Sequence, residues 1–376
     1  MISVVIGLPE AVMIEYFEEL RQRASPNVFM HPAALCAAAA LGFAQIHVLM
    51  AWCEDATSRK LVGFWALRER RVLPFWPSFL AAPPYDYAFV SSPVIDPDHG
   101  DAVMRAFFDC IAADRRLPNV IKLKLLDADA ATHRPMMAAL QARRGQMLKL
   151  SERARPFLSG DSDRKRSGST AKKLRQDWNR LSALGRVDIA NDRTAEGARE
   201  AFEVFLELEL RSWKGQNGTA LRSDDEDAAF TRRLIADLSA HHGASVALLR
   251  VDGKPIAAQV LLYSGSMAYT WKTAFDAAFA KFSPGALLVD KVSDELLASG
   301  TTQIESCSSD GSFMESLWTG RRMTVDLLVD VGREKSIGFA AIAMAERGYL
   351  RLRELRGRLR AWNTLPKAKT VAITKG

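Results

Sequence analysis

The chain has 376 residues, 48% of them hydrophobic and 25% charged, with a net charge of +7, a globular composition long enough for two domains. No apolar run reaches the roughly 20 residues that cross a bilayer, and Glu15, Glu18 and Glu19 stand where a signal core would continue, so a cytoplasmic protein is expected. Residues 164–186 carry eight Lys/Arg against one acid and residues 333–375 eleven against three, which points to local anion contacts rather than a uniformly basic nucleic-acid binder.

Residues 3–6 read as a strand, and residues 9–20 as a helix with Met13, Phe17 and Leu20 on one face. His31-Pro32 opens an alanine-rich helix over 33–40, with His31 either a packing or capping residue or a site residue. Paired strands follow at 46–52 and 61–68. The loop 74–92, crowded with Pro, Tyr, Phe and Trp, either covers a core edge or lines a cleft. Helices at 101–113 and 135–144 flank a strand at 120–125. These elements make an expected first domain over residues 1–158.

A Ser/Gly/Asp-rich linker then leads into a basic helix at 169–183, and residues 159–186 are expected to join the domains. The second domain, 187–331, begins with a strand at 187–190 and an amphipathic helix at 196–213 carried by Phe202, Phe205 and Leu206. A helix at 228–239 precedes strands at 245–251, 256–263 and 267–273, the first two joined by an Asp252-Gly253 turn. Ser283-Pro284-Gly285 opens a helix with Leu288, Val289, Val292 and Leu296 on one face. Its free N–H groups beside a sheet can hold a diphosphate without a basic side chain, although Ser-Pro is also an ordinary helix start. Strands at 303–307 and 324–329 complete the order. A basic helical tail occupies 332–376, in which Leu352, Leu355 and Leu359 form a thin apolar line expected to dock on the body or on an anionic membrane surface.

The four cysteines are scattered and read as structural thiols. His241-His242 point apart in regular structure, so no metal is expected. Neither a G-x-G-x-x-G after a strand nor a P-loop is present.

Four segments, SGSTAKKLRQDWNRLSALG, FLELELRSWKGQNGTAL, DGKPIAAQVLLYSGSMAYTWKTAFDAAFAKFSPGALLVDKVSDELLASG and IESCSSDGSFMESLWTG, resemble in order and spacing the BioF2-like (CelD-like) acetyltransferases of the GNAT superfamily, related to the FemAB aminoacyltransferases. The likeness covers most of the chain. It implies an α/β fold of tandem GNAT-like acyl-CoA N-acyltransferase domains, with mixed sheets flanked by helices in a FemAB-like arrangement. It also implies acetyl-CoA or another acyl-CoA as donor and no metal. Trp271, Lys272, Lys281, Phe282, Ser283, Gly285, Ala286 and Leu287 form the expected CoA-binding set. Ser308 and Ser309 stand near the glycines of the family's usual Gly-x-Gly-Asp, Asp310 keeps its acid, and Glu315 stands where a lysine is common.

Direct attack of an amine on the thioester needs a base and an acid. Asp310 and Glu305 are the candidate bases, and Tyr269 a candidate donor to the thiolate or a packed sheet residue. Lys172, Lys173, Arg175, Trp213 and Trp318 are expected to meet the acceptor. The leading expectation is acyl transfer from CoA to an amino group of a sugar or exopolysaccharide or envelope precursor, either as a small molecule or as a glycan intermediate. A noncatalytic binding protein in envelope assembly and a tRNA-dependent aminoacyl transferase are the alternatives. The basic tail adds an expected peripheral contact with the inner face of the membrane.

Overall fold

The computed structural model describes residues 2–55, 58–165, 168–309, 311–332 and 336–364, the side chains of 357–364 excepted. The first half runs β1 (Ile2–Gly7), α1 (Met13–Arg21), α2 (Pro32–Ala40), β2 (Ile46–Glu54), β3 (Arg59–Arg70), β4 (Phe79–Ala82), β5 (Val94–Ile95), α3 (Gly100–Ala113), β6 (Val120–Asp127), α4 (His133–Ala142) and β7 (Met147–Leu158). After α5 (Gly168–Ser182) come β8 (Val187–Asp192), α6 (Ala195–Arg211), α7 (Trp213–Gln216), α8 (Asp225–Ala240), β9 (Ala244–Val251), β10 (Lys254–Ser264) and β11 (Met267–Phe275). The chain continues through α9 (Pro284–Ala298), β12 (Gln303–Glu305), α10 (Met314–Leu317), β13 (Arg321–Asp330) and α11 (Ile337–Thr364).

Local chemistry sets many of these boundaries. Pro32 occupies the first turn of α2, where its missing N–H costs nothing, and His31 Nδ1 accepts the Ala33 N–H at 3.1 Å. His31 is therefore a capping residue, held from its other nitrogen by Glu18 at 3.0 Å. Thr194 caps α6 by accepting the Gly197 N–H. The β9–β10 turn has positive φ at both Asp252 (48°) and Gly253 (78°), the geometry that matches strand twist.

The strands form one mixed sheet in the order β1-β2-β3-β4-β6-β13-β7-β12-β11-β10-β9-β8, with β5 beside β3. The same plan appears twice: β1-β2-β3-β4-β6 in the first half matches β8-β9-β10-β11-β12 in the second. In each half one pair is parallel, β4 with β6 and β11 with β12. The last strand of each half is shared. β7 lies between β13 and β12, and β13, expected within the second domain, is hydrogen-bonded between β6 and β7 of the first. A cut at residue 158 therefore runs through continuous sheet, and residues 187–331 are no independent sheet, since their β13 belongs to the first half.

Apolar packing also crosses the halves. Phe43 stacks on Phe230 with centroids 4.2 Å apart, and Phe29 meets Tyr269 edge-on at 5.3 Å. Phe29, Phe230 and Tyr269 are fully buried, and each such ring is worth about 1.5–3 kcal/mol relative to exposure. A separate apolar cluster lies between α9, α5 and the second-half sheet. Helix α11 docks through Phe339, Ile342 and Ala343 onto Phe79, Val120 and Leu328. The leucine line was expected to make that contact, but Leu352 and Leu355 are exposed, because the apolar residues that face the sheet come earlier in the helix. The side chain of Leu359 lies outside the described residues.

Candidate active site

Strands β11 and β12 pair only from Met267–Gln303 to Tyr269–Glu305. Beyond those pairs they separate into a fork, and Thr270 Oγ1 closes its base by donating to the carbonyls of Glu305 (3.2 Å) and Ser306 (3.1 Å). On its other edge β11 pairs Lys272 with Val260 but Thr270 with Leu261, so Trp271 is the extra residue of a β-bulge. A regular strand sends alternate side chains to opposite faces. The bulge breaks that alternation, and Thr270, Trp271, Lys272 and Thr273 all line a cavity of about 760 Å³ at the fork.

Helix α9 forms one wall. Ser283, in the left-handed conformation (φ 52°, ψ 47°), precedes it and gives no side-chain cap. Its hydroxyl instead accepts Lys173 Nζ at 2.6 Å, while its carbonyl takes the Leu287 N–H. The first-turn amides of Gly285 and Ala286 are thus left at the cavity wall, with the helix dipole and the Lys173 charge converging there. Lys173 is itself held by Asp177 at 2.5 Å. A Cβ at Gly285 would meet Thr273 Cγ2 and Phe275 Cδ1, each at 3.4 Å, so helix and strand approach closely at this point.

The opposite walls come from Phe89 of the first half, Trp213 and Lys214 of α7, Ser308, and Phe313 and Leu317 around α10. The aromatic loop both covers the core and lines the cleft. Phe89 faces the cavity, while the Tyr87 carbonyl accepts Trp271 Nε1–H at 2.8 Å and the Tyr87 hydroxyl donates to Asp227. Arg155 braces this wall by donating to the carbonyls of Phe89 (2.8 Å) and Ser308 (3.1 Å).

Lys272 is half-buried, its Nζ 4.7 Å from the Tyr87 ring centroid and 5.5 Å from that of Trp271. Burial pulls its pKa down from 10.5 to about 8; Lys214 adds to the effect, and Glu209 and Asp227 oppose it. The unfolded chain keeps this proton up to pH 10.5 and the folded chain only to about 8. The penalty is complete below pH 8, and stability recovers as pH rises from 8 to 10.5. Lys272→Met is accordingly expected to raise the stability read from urea unfolding at pH 7, by about 3 kcal/mol at most, with the advantage shrinking above pH 8. A midpoint difference independent of pH would contradict this.

Of the expected CoA set, Trp271, Lys272, Ser283, Gly285 and Ala286 line the cavity. Lys281 does not; its amine lies over the ring of Phe282, which is buried with Arg180 above it. Leu287 is buried and borders a second, smaller depression together with Arg175. Of the expected acceptor residues, Lys173 and Trp213 line the cavity, whereas Lys172 is exposed outside it. Trp318 is fully buried in the α9 core and cannot touch a ligand.

Two catalytic expectations are corrected. Tyr269 is fully buried with its hydroxyl donating to the Pro26 carbonyl at 3.0 Å, and burial pushes its pKa up, so it does not serve as the acid. Glu305 is fully buried, its carboxylate 3.3 Å from both Arg155 and Arg322 and accepting the Cys307 N–H at 3.2 Å. It is bound on every side and serves as a structural anion, not a base. Asp310 lies outside the described residues. Cys307 is buried and its thiol is pushed up by burial, which fits a structural role. Sequence reasoning passed over Thr273, Phe275 and Ser308, which the bulge and the fork bring to the cavity, and Lys214, which α7 brings there.

The strand plan repeats in the two halves, and the second half adds a strand fork beside an uncapped helix start. Residues 168–311 match the family described as Acetyltransferase (GNAT) domain. FemX has a similar fold, with a TM-score of 0.58 at 11% identity over 84% of this chain and 95% of FemX. The structure of L-PGS from Bacillus licheniformis superposes with a TM-score of 0.52 at 14% identity, covering 91% of this chain and 97% of that one. No protein of curated function matches the sequence significantly. Residues 168–311 thus carry a GNAT acetyltransferase domain, which supports an acyl-transfer activity, and the chain shares its fold with FemX. Among the described residues no group of three His, Cys, Asp or Glu could hold a metal, and no helix is long and apolar enough to cross a membrane.

Proposed function

We propose that the chain moves an acyl group, acetyl in the simplest case, from CoA to an amino group of a sugar or cell-envelope precursor, as BioF2-like (CelD-like) enzymes would. The observation that carries this reading is the uncapped first turn of α9, with Lys173 on Ser283, opening directly onto the β11–β12 fork. The CoA diphosphate would lie against the Gly285 and Ala286 amides, and CoA supplies the activated thioester. The fork leaves the β12-side edge of β11 without a strand partner beyond Tyr269, so its backbone is free to hold the acyl carbonyl. Asp310, two positions beyond the cavity-lining Ser308, is the carboxylate we assign as base. We place the protein in the cytoplasm, with α11 resting on an anionic membrane surface through Tyr349, Leu352 and Leu355 among Arg351, Arg353 and Arg356.

Calorimetric titration with acetyl-CoA and with CoA tests the reading. Micromolar binding is expected, weakened about 10- to 100-fold in Lys173→Met, the loss of one charge-assisted phosphate contact. Absence of binding to the folded protein would overturn the CoA donor. Capture of charged tRNA by the exposed Lys172 and Arg175 of α5 would then identify an aminoacyl donor.

A further inference from the structure

Three lysines line the cavity, and among the described residues no carboxylate does. Two of the three have their own counter-charge. Lys173 is held by Asp177 at 2.5 Å, and Lys214 by the buried Glu209 at 2.9 Å. Lys272 has neither a carboxylate nor a hydrogen-bond acceptor within reach among the described residues, only the faces of Tyr87 and Trp271. The carboxylates closest to serving it are already committed. One oxygen of Glu209 meets Lys214 and the other accepts the Leu221 N–H at 2.9 Å, while Asp227 accepts the Tyr87 hydroxyl. An ammonium drawn out of water without an anion is costly, and proteins seldom keep one unless a ligand answers it.

The position of Lys272 separates it from the diphosphate end. Thr273 packs toward Gly285 and α9, whereas Lys272 lies against Tyr87 of the first half and near Lys214 of α7. The cavity therefore has two positive wells on different walls. One is made by the α9 amides and Lys173, the other by Lys272 at the junction of the halves. We propose that this second well receives a negatively charged group, a carboxylate or a phosphate, carried by one of the two substrates. The inference rests on the donor reading above, in which α9 takes the CoA diphosphate and leaves the second well to the acyl group or the acceptor. A neutral amino sugar with an acetyl donor would leave the Lys272 charge unanswered. A phosphorylated amino sugar, or a dicarboxylic acyl group, would not.

Two matched pairs distinguish the sources: glucosamine against glucosamine 6-phosphate, and acetyl-CoA against succinyl-CoA. Each is titrated calorimetrically into wild type, Lys272→Met and Lys272→Arg. In at least one pair the member with the additional anionic group is expected to bind about tenfold or more tightly than the member without it, the scale of one charge-assisted contact. That ratio should fall toward one in Lys272→Met and be largely kept in Lys272→Arg. A preference in the sugar pair assigns the anion to the acceptor, and one in the CoA pair assigns it to the acyl group. Equal affinities within both pairs in wild type, or a preference that survives in Lys272→Met, would overturn the proposal. If no CoA compound binds, the donor reading fails by itself, while the sugar pair still decides whether Lys272 recognises an anion.

Discussion

Gly285→Trp is expected to abolish detectable acetyl-CoA binding, a loss of at least about 100-fold, while leaving the fold intact. Gly285 is the second residue of α9 and has ordinary helical φ, so a side chain brings no backbone strain. The first carbon of that side chain fits, because Thr273 Cγ2 and Phe275 Cδ1 would lie at 3.4 Å, near normal contact. The indole beyond it has only the cavity to enter, since core packs behind the helix. There it occupies the space beside the Gly285 and Ala286 amides that the diphosphate would fill. Gly285→Ala separates this effect from a general disturbance of the helix. It should bind acetyl-CoA nearly as wild type does and gain up to about 1 kcal/mol in stability from lower backbone entropy in the unfolded chain. Circular dichroism and the urea midpoint check the fold, and calorimetry reads the affinity. If Gly285→Trp still binds acetyl-CoA with wild-type affinity, the donor lies elsewhere.

The parts of this site that local sequence chemistry determines could be read from the chain. The Asp252-Gly253 turn, the β9–β10–β11 meander and the Ser-Pro-Gly start of α9 each follow from residues adjacent in sequence, and so did the placement of Gly285, Ala286, Trp271 and Lys272. The parts that depend on pairing between distant strands could not. The bulge at Trp271 is a register event between β10 and β11, invisible in either strand alone. Strand β7 escaped notice because only Leu148 and Leu150 alternate clearly before Glu152, Arg153 and Arg155 interrupt the pattern. Those charged residues are tolerated in mid-sheet because partners from other strands reach them, as Asp326 does Arg153 and Glu305 does Arg155. Glu305 was misread for the same reason. A carboxylate at the end of a short strand before a run of serines looks solvent-facing, until Arg155 and Arg322 close over it.

That closure makes Glu305 the second large expected effect. The carboxylate sits between two buried guanidiniums, and Arg322 extends the chain of charges to Asp127 at 3.3 Å. Glu305→Ala leaves Arg155 with no carboxylate partner in this network and Arg322 with only Asp127, whose own pKa is raised by burial. Removing one partner of a buried pair costs about 3–5 kcal/mol, a large part of the 5–15 kcal/mol that holds a typical domain. The urea midpoint should fall accordingly, with the slope unchanged if the native state keeps its compactness. Glu305→Gln keeps a carbonyl oxygen for the Cys307 N–H and one guanidinium, so its loss should be smaller. The same variants decide between structure and catalysis. A base at 305 would make Glu305→Gln as stable as wild type and nearly inactive. A structural anion would make it less stable, with activity falling only as far as Arg155 relaxes its hold on the Phe89 and Ser308 carbonyls. In that case the remaining loss of activity should follow the loss of acetyl-CoA affinity across Gln and Ala, because both pass through the same cavity wall.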